Sequence, residues 1–203
     1  MVEGGIKLIA LVGFPGMGKT SLAQALTAGS PFIEFADGKP NVLHVQAALE
    51  SHGLGQYLVT EQNAPTMLAK LMCIKDGPRF VVLDNFQSTT QLRSIVPPNT
   101  AATIVATCRE TGDCAPSWCH NILVEVMEPD ESVQFAKLLA PSLRDEDAIF
   151  LTETLGHYAL IIELACGHIR RTGIDVQALC RSLQITHDDI KTKAGEQGHV
   201  MIA

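Results

Sequence analysis

Residues 8–26 read LIALVGFPGMGKTSLAQAL, and this stretch decides the fold. A short apolar run over 6–12 stops at Gly13, the pattern of a buried strand. Gly13, Phe14, Pro15, Gly16, Met17, Gly18, Lys19 and Thr20 then fit G-x-x-x-x-G-K-[ST]. Each part has a physical reason. Glycines let the chain turn tightly and aim successive N–H groups at an anion. A helix predicted over 19–28 adds its positive N-terminal end. Lys19 supplies a point charge for β- and γ-phosphates, and Thr20 offers a hydroxyl to Mg²⁺. A strand before the loop and a helix after it separate this motif from a chance glycine turn. On the helix, Leu22, Ala25 and Leu26 share one face and Gly29 is the stop.

A second strand is predicted at RFVVLD, 79–84, an apolar run ended by polar residues. Asp84 at its end is the expected acid for Mg²⁺. The next residue is Asn85, where many ATPases of this kind carry a second acid to polarise water. An amide orients water but takes no proton, so hydrolysis by this chain alone is expected to be slow. Glu34 and Glu110 are the candidate substitutes, although nothing in the sequence places either near a phosphate. A later strand, ATIVATC over 102–108, is followed by Arg109, which is positioned to reach a γ-phosphate.

Between these landmarks the chain alternates. PFIEF reads as a strand, 41–51 and 64–75 as helices, and NILVEV over 121–126 as a last short strand. After 126 only helices follow. EPDESVQFAKLLA places Pro129 and acidic residues at a helix start. SLRD at 142–145 fits a capping box, YALIIELACGHIRRT runs to a stop at Gly173, and Asp175 caps a final helix. The fold class is therefore α/β: a mainly parallel sheet sandwiched by helices, followed by a small all-helical subdomain. The expected boundaries are 1–126, 127–185, and a mobile tail over 186–203.

Composition limits the partners. The net charge is −7, with 15 Lys and Arg against 22 Asp and Glu, and the cations do not cluster. That disfavours a nucleic-acid partner, since the phosphate backbone is held by grouped cations. The apolar runs, about 7 residues, fall far short of the ~20 that span a bilayer, so no membrane partner is expected. The start MVEGGIK lacks a signal-peptide core, which points to a cytoplasmic location. Six cysteines without a secretory signal read as reduced thiols. Cys108, Cys114, Cys119 and His120 offer four soft ligands, but their spacing is not that of a zinc site.

The ordered set GFPGMGKTS, FVVLDNF, TIVATCRE, VEVMEPDESVQFAKLL and LGHYALIIELACGHIR resembles the NB-ARC domain of the signal-transduction (STAND) P-loop ATPases, the nucleotide switch of NOD-like receptors. It looks closest to the fungal and bacterial branch, and the resemblance covers residues 5–185. It implies P-loop NTPase architecture, a role in signal transduction of the innate-immunity kind, ATP or ADP as ligand, and Mg²⁺. Gly13, Pro15, Gly16, Met17, Gly18, Lys19, Thr20 and Ser21 would hold the phosphates, and Thr20 and Asp84 the metal ion. Thr107 and Arg109 match the family's sensor strand. GHYAL sits where the family has Gly-Leu-Pro-Leu, which puts Ala159 and Leu160 at the nucleotide with alanine in place of the proline. The family's winged-helix domain, with its sensing histidine, is not expected within these 203 residues. Effector domains, repeat domains or self-association in an assembly are the implied partners.

Three readings stay open on the sequence. One is a nucleotide switch module. A second is a working ATPase or small-molecule kinase, although lid arginines, the guanine-reading Asn-Lys-x-Asp and the transporter Ser-Gly-Gly-Gln signature are all missing. The third is a nucleotide-free scaffold, or degenerate NB-ARC fragment, favoured by Asn85 and Ala159.

Overall fold

The structure, a computed structural model, describes residues 7–110 and 119–183. The chain divides into two compact units, Met1–Glu125 and Val126–Ala203. The expected tail lies outside the described residues.

The first unit is built on strands β1 (Leu8–Val12), β2 (Phe32–Ala36), β3 (Lys39–Pro40), β4 (Phe80–Ser88), β5 (Thr103–Glu110) and β6 (His120–Leu123). Its helices are α1 (Lys19–Leu26), α2 (Val42–Ser51), α3 (Ala64–Cys73) and the short α4 (Thr89–Leu92). The sheet order is β3-β2-β4-β5-β1-β6, and every pairing is parallel except β2 with β3. The expected α/β architecture, a mainly parallel sheet covered by helices, is what the chain adopts.

Strand alternation sends side chains to two faces. Leu8, Ala10, Val12, Ile33, Phe35, Val81, Leu83, Ile104 and Ala106 pack with Val45 and Leu49 of α2 and Leu68, Leu71 and Met72 of α3. The opposite face is thinner: Leu11, Val82 and Val105 meet Ala23 of α1. Here the structure corrects a sequence expectation. Leu22 and Leu26 are not core; they are 39% and 62% exposed, while Ala23 is fully buried. The small side chain sets α1 close on the strands, so the loop before it ends directly above the sheet.

Two short elements were not foreseen. β2 and β3 form a tight hairpin through Asp37 and Gly38, both with positive φ (50° and 74°). That is the backbone an Asp-Gly turn favours. α4 is a single turn, capped by Ser88 Oγ accepting from the Thr90 N–H. β4 also runs four residues beyond the expected end at Asp84, because a bulge between Leu83 and Phe86 lets pairing with β5 resume.

The second unit comprises α5 (Pro129–Leu139), α6 (Asp145–Thr154), α7 (Ala159–Thr172) and a last helix, α8, described over 176–183. Its core gathers Ala136, Leu151, Ile162, Cys166, Ile169 and Leu179, among others. Gly173 ends α7 in the left-handed conformation, as read from the sequence, and the Asp175 carboxylate accepts from the Ala178 N–H at 3.1 Å. The capping box expected at SLRD does not form. Arg144 occupies the N-cap, and its guanidinium pairs with Asp147 at 2.7 and 3.1 Å instead. Glu128 and Glu131 supply a capping contact on α5, Glu128 N–H donating to Glu131 Oε2 at 3.3 Å.

Cys108 and Cys119 are buried in the core of the first unit. Cys166 and Cys180 are buried in the second, where burial pushes both thiols above their ordinary pKa. Cys114 lies outside the described residues; among those described, no group of three or more potential ligands is placed to hold a metal ion. No helix among the described residues is long and apolar enough to cross a membrane.

Candidate functional site

The loop after β1 is anchored where it begins, by β5 on one side and by the residue after β6 on the other. Gly13 N–H donates to Cys108 O of β5 at 3.2 Å, and Val124 N–H donates to Val12 O at 2.7 Å. The second contact explains the first glycine of the motif. A Cβ at Gly13 would lie 2.3 Å from the Val124 carbonyl oxygen, so no larger residue fits without moving backbone. Gly16 and Gly18 both have positive φ, 83° and 85°. Such angles are accessible to glycine at little cost, and they turn the loop into the first turn of α1. Gly18 is the N-cap of α1 and no side chain caps the helix. The first-turn N–H groups are thereby left for a ligand, at the positive end of the helix dipole.

Lys19 folds back over this loop. Its Nζ donates to Gly13 O and Phe14 O, both at 2.8 Å. Burial and the nearby Arg109 guanidinium push its pKa below the usual lysine value, while Asp84 pulls the other way. A desolvated ammonium with only carbonyl partners is a site that an added anion would relieve.

Thr20 sits one residue further into α1 and donates its hydroxyl to Asp84 Oδ1 at 2.9 Å. Thr107 of β5 donates to the same oxygen at 2.6 Å. The Thr107 hydroxyl in turn accepts the Asn85 N–H at 2.9 Å. One threonine therefore fixes both the acid and the bulge beside it. Thr20 Oγ1 and Asp84 are hard oxygen donors side by side, the kind of pair that Mg²⁺ uses together with phosphate oxygens and water. The residues present thus fit a magnesium–phosphate group.

Asn85 has a structural explanation. Its φ is 75°, in the left-handed region where asparagine is enriched. Its amide Nδ2 donates to Phe35 O of β2 at 3.0 Å. The side chain therefore ties β4 to β2.

A pocket of about 180 Å³ joins these groups. Pro15, Gly16, Lys19, Thr20, Asp84 and Arg109 line it, as do Thr107, Asn85 and Glu34. The sequence left Glu34 and Glu110 equal as candidates; the structure separates them. Glu34 faces the pocket, because it stands opposite Asp84 in the parallel register of β2 and β4. Glu110 is at the far end of β5, accepting from Gln87 Nε2 at 2.9 Å. Glu34 is the middle residue of β2, and its place as the polar member of an alternating strand is the only local signal that could have marked it. The adjacency of β2 to β4 is a long-range fact that no local pattern carries.

Of the other expected site residues, Met17 Sδ lies under the loop, 3.7 Å from the Cβ position at Gly13. Ser21 is exposed on the first turn of α1. Ala159 and Leu160 open α7 in the second unit, Ala159 half-buried and Leu160 exposed. The segment before them turns through Gly156 and His157, both with positive φ, and the His157 ring contacts Ser132 Oγ at 2.8 Å.

This fold has counterparts among solved structures. The fold is that of a P-loop ATPase. A Walker-type ATPase of Pyrococcus abyssi is similar with a TM-score of 0.60 and 15% identity, over 95% of this chain and 71% of that one. A STAND protein with a tetratricopeptide-repeat sensor from Pyrococcus horikoshii gives 0.54 and 15%, over 77% of this chain and 27% of that one. The AAA domain of FIGL-1, solved with ADP, gives 0.54 and 16%, over 88% and 66%. The P-loop chain here therefore spans about a quarter of the STAND protein's length. No protein-family model and no curated protein matches the sequence.

Proposed function

We propose that this chain is an ATP- and ADP-binding switch module of the STAND type, NB-ARC-like in the order of its motifs. One observation carries the reading: the partly desolvated Lys19 ammonium folded on the carbonyls of Gly13 and Phe14, beside an uncapped helix N-terminus. A cation and a row of N–H groups around one small pocket suit a polyphosphate. Gly13, Pro15, Gly16, Met17, Gly18, Lys19, Thr20 and Ser21 hold the phosphates. Thr20 and Asp84 hold Mg²⁺, whose chemistry is to neutralise phosphate charge. Arg109 reports the γ-phosphate. The STAND and ADP-bound neighbours support adenine nucleotide as the ligand class.

The switch reading predicts near-stoichiometric nucleotide in protein purified without added ligand. Denaturation and chromatography of the released material identify it. Hydrogen exchange of α5 to α7 then differs between the Mg-ADP and Mg-ATP forms, as a bistable module requires. Identical exchange in the two forms contradicts the switch while leaving nucleotide binding intact.

A further inference from the structure

Asn85 cannot accept a proton, yet the acid missing at that position has a neighbour on the next strand. We propose that Glu34 is the catalytic base of this site and activates the water that attacks the γ-phosphate. The proposal rests on the nucleotide reading of the phosphate loop.

Five observations converge on this residue. Glu34 pairs with Asp84 in the β2–β4 register, so the two Cα atoms are strand neighbours, about 4.8 Å apart. Both side chains leave the sheet on the α1 face, which also carries Phe32 and Val82. Glu34 lines the phosphate pocket together with Lys19, Thr20 and Arg109. Its backbone is pinned on both sides: its N–H donates to His44 Nδ1 at 3.2 Å, and its carbonyl accepts from Asn41 N–H at 2.8 Å. The carboxylate itself has no hydrogen-bond or ion-pair partner among the described residues.

Asn85 gains a role from the same geometry. Its amide grips Phe35 O, the residue after Glu34, and holds the end of β2 against β4. Asn85 is a positioning residue that sets where the base stands. Glu34 also borders a second, wider pocket of about 480 Å³ beside Lys39, Asn41 and Glu61. That opening supplies water to the carboxylate without passing the phosphate loop.

The step balances simply. The oxygen of one water forms a bond to Pγ as the bond from Pγ to the β–γ bridging oxygen breaks. The bridging oxygen keeps the electron pair and leaves with ADP. The water proton passes to a Glu34 carboxylate oxygen and then to solvent. An exposed base, neither compressed by a partner nor buried, fits turnover slow enough for a switch that resets itself.

The test uses the full chain with Mg-ATP. Nucleotide affinity is measured by titration with a non-hydrolysable ATP analogue, and turnover by phosphate release. Glu34→Gln is expected to lower kcat by about 10²–10⁴-fold, the range a general base supplies, with affinity unchanged within about twofold. After incubation with ATP the wild type carries ADP, and Glu34→Gln carries ATP. Glu34→Asp, a shorter acid, retains part of the rate, and Glu110→Gln retains all of it. Equal kcat in wild type and Glu34→Gln overturns the proposal, as does a wild type that binds ATP and releases no phosphate above background. A wild type that binds no nucleotide removes the phosphate-loop reading itself, and this proposal with it.

Discussion

The carboxyl edge of the sheet and the core of the helical unit are built on opposite plans. At the sheet edge, polar groups converge on one pocket. Thr20 and Thr107 both donate to Asp84 Oδ1, and Lys19 lies over loop carbonyls. In the helical unit, alanines, leucines and isoleucines interlock, with Ser132 and Thr152 as buried polar members. The helical unit is organised for its own stability. The sheet edge leaves an ammonium desolvated and a helix end uncapped, and it recovers that cost only when an anion arrives.

The contrast makes ordered predictions. Leu151 is fully buried in the helical core, and Leu151→Ala should destabilise that unit by about 2–5 kcal/mol through lost burial and a cavity. Denaturant unfolding reads it, and nucleotide affinity should move far less. Gly13→Ala forces a Cβ against the Val124 carbonyl and should cost about 1–3 kcal/mol of stability, together with most of the affinity for ADP. Thr107→Val removes a donor to Asp84 and leaves the Asn85 N–H without its acceptor, a loss of about 1–3 kcal/mol. That change should weaken Mg-dependent binding more than metal-free binding, which titrations with and without EDTA compare.

The smallest effect has the opposite sign. Lys19 has a folded-state pKa below the ordinary 10.5, so its charge disfavours the ligand-free fold. The unfolded chain holds more protons between the folded value and 10.5, and ligand-free stability rises with pH across that window. Lys19→Met should therefore give a slightly higher Tm without ligand, and should lose the Lys19 share of that alkaline rise. A lower Tm would mean that the lysine is structural, which would erase the contrast between the two regions.

How far the sequence reached follows from how local each feature is. The β1–loop–α1 unit was legible because glycine, lysine and threonine spacing is set within a dozen residues. Gly173 was legible because a helix end carries its own signal, while Asp84 and Arg109 were found where apolar runs stop, although β4 and β5 continue to Ser88 and Glu110. Capping at Ser142 failed because α6 starts at Asp145, after Arg144, and the Asp145 carboxylate accepts from Lys137 instead. Leu22 and Leu26 were misread as a core face because Ala23, a smaller residue, makes the contact. The Asp37-Gly38 hairpin carried a usable turn signal in two residues. Glu34 could be suspected but not placed, since the order β2-β4-β5-β1 is fixed by long-range pairing. Asn85 looked like a missing acid, and its left-handed φ gives it a different reason to be there.

The most direct test of the account is a calorimetric titration of ligand-free protein with Mg-ADP and Mg-ATP, wild type against Lys19→Ala. Saturable one-to-one binding is expected in the wild type and none in Lys19→Ala, with both proteins equally folded by circular dichroism. Equal affinity in the two proteins, or no binding by the wild type at millimolar nucleotide, would contradict it.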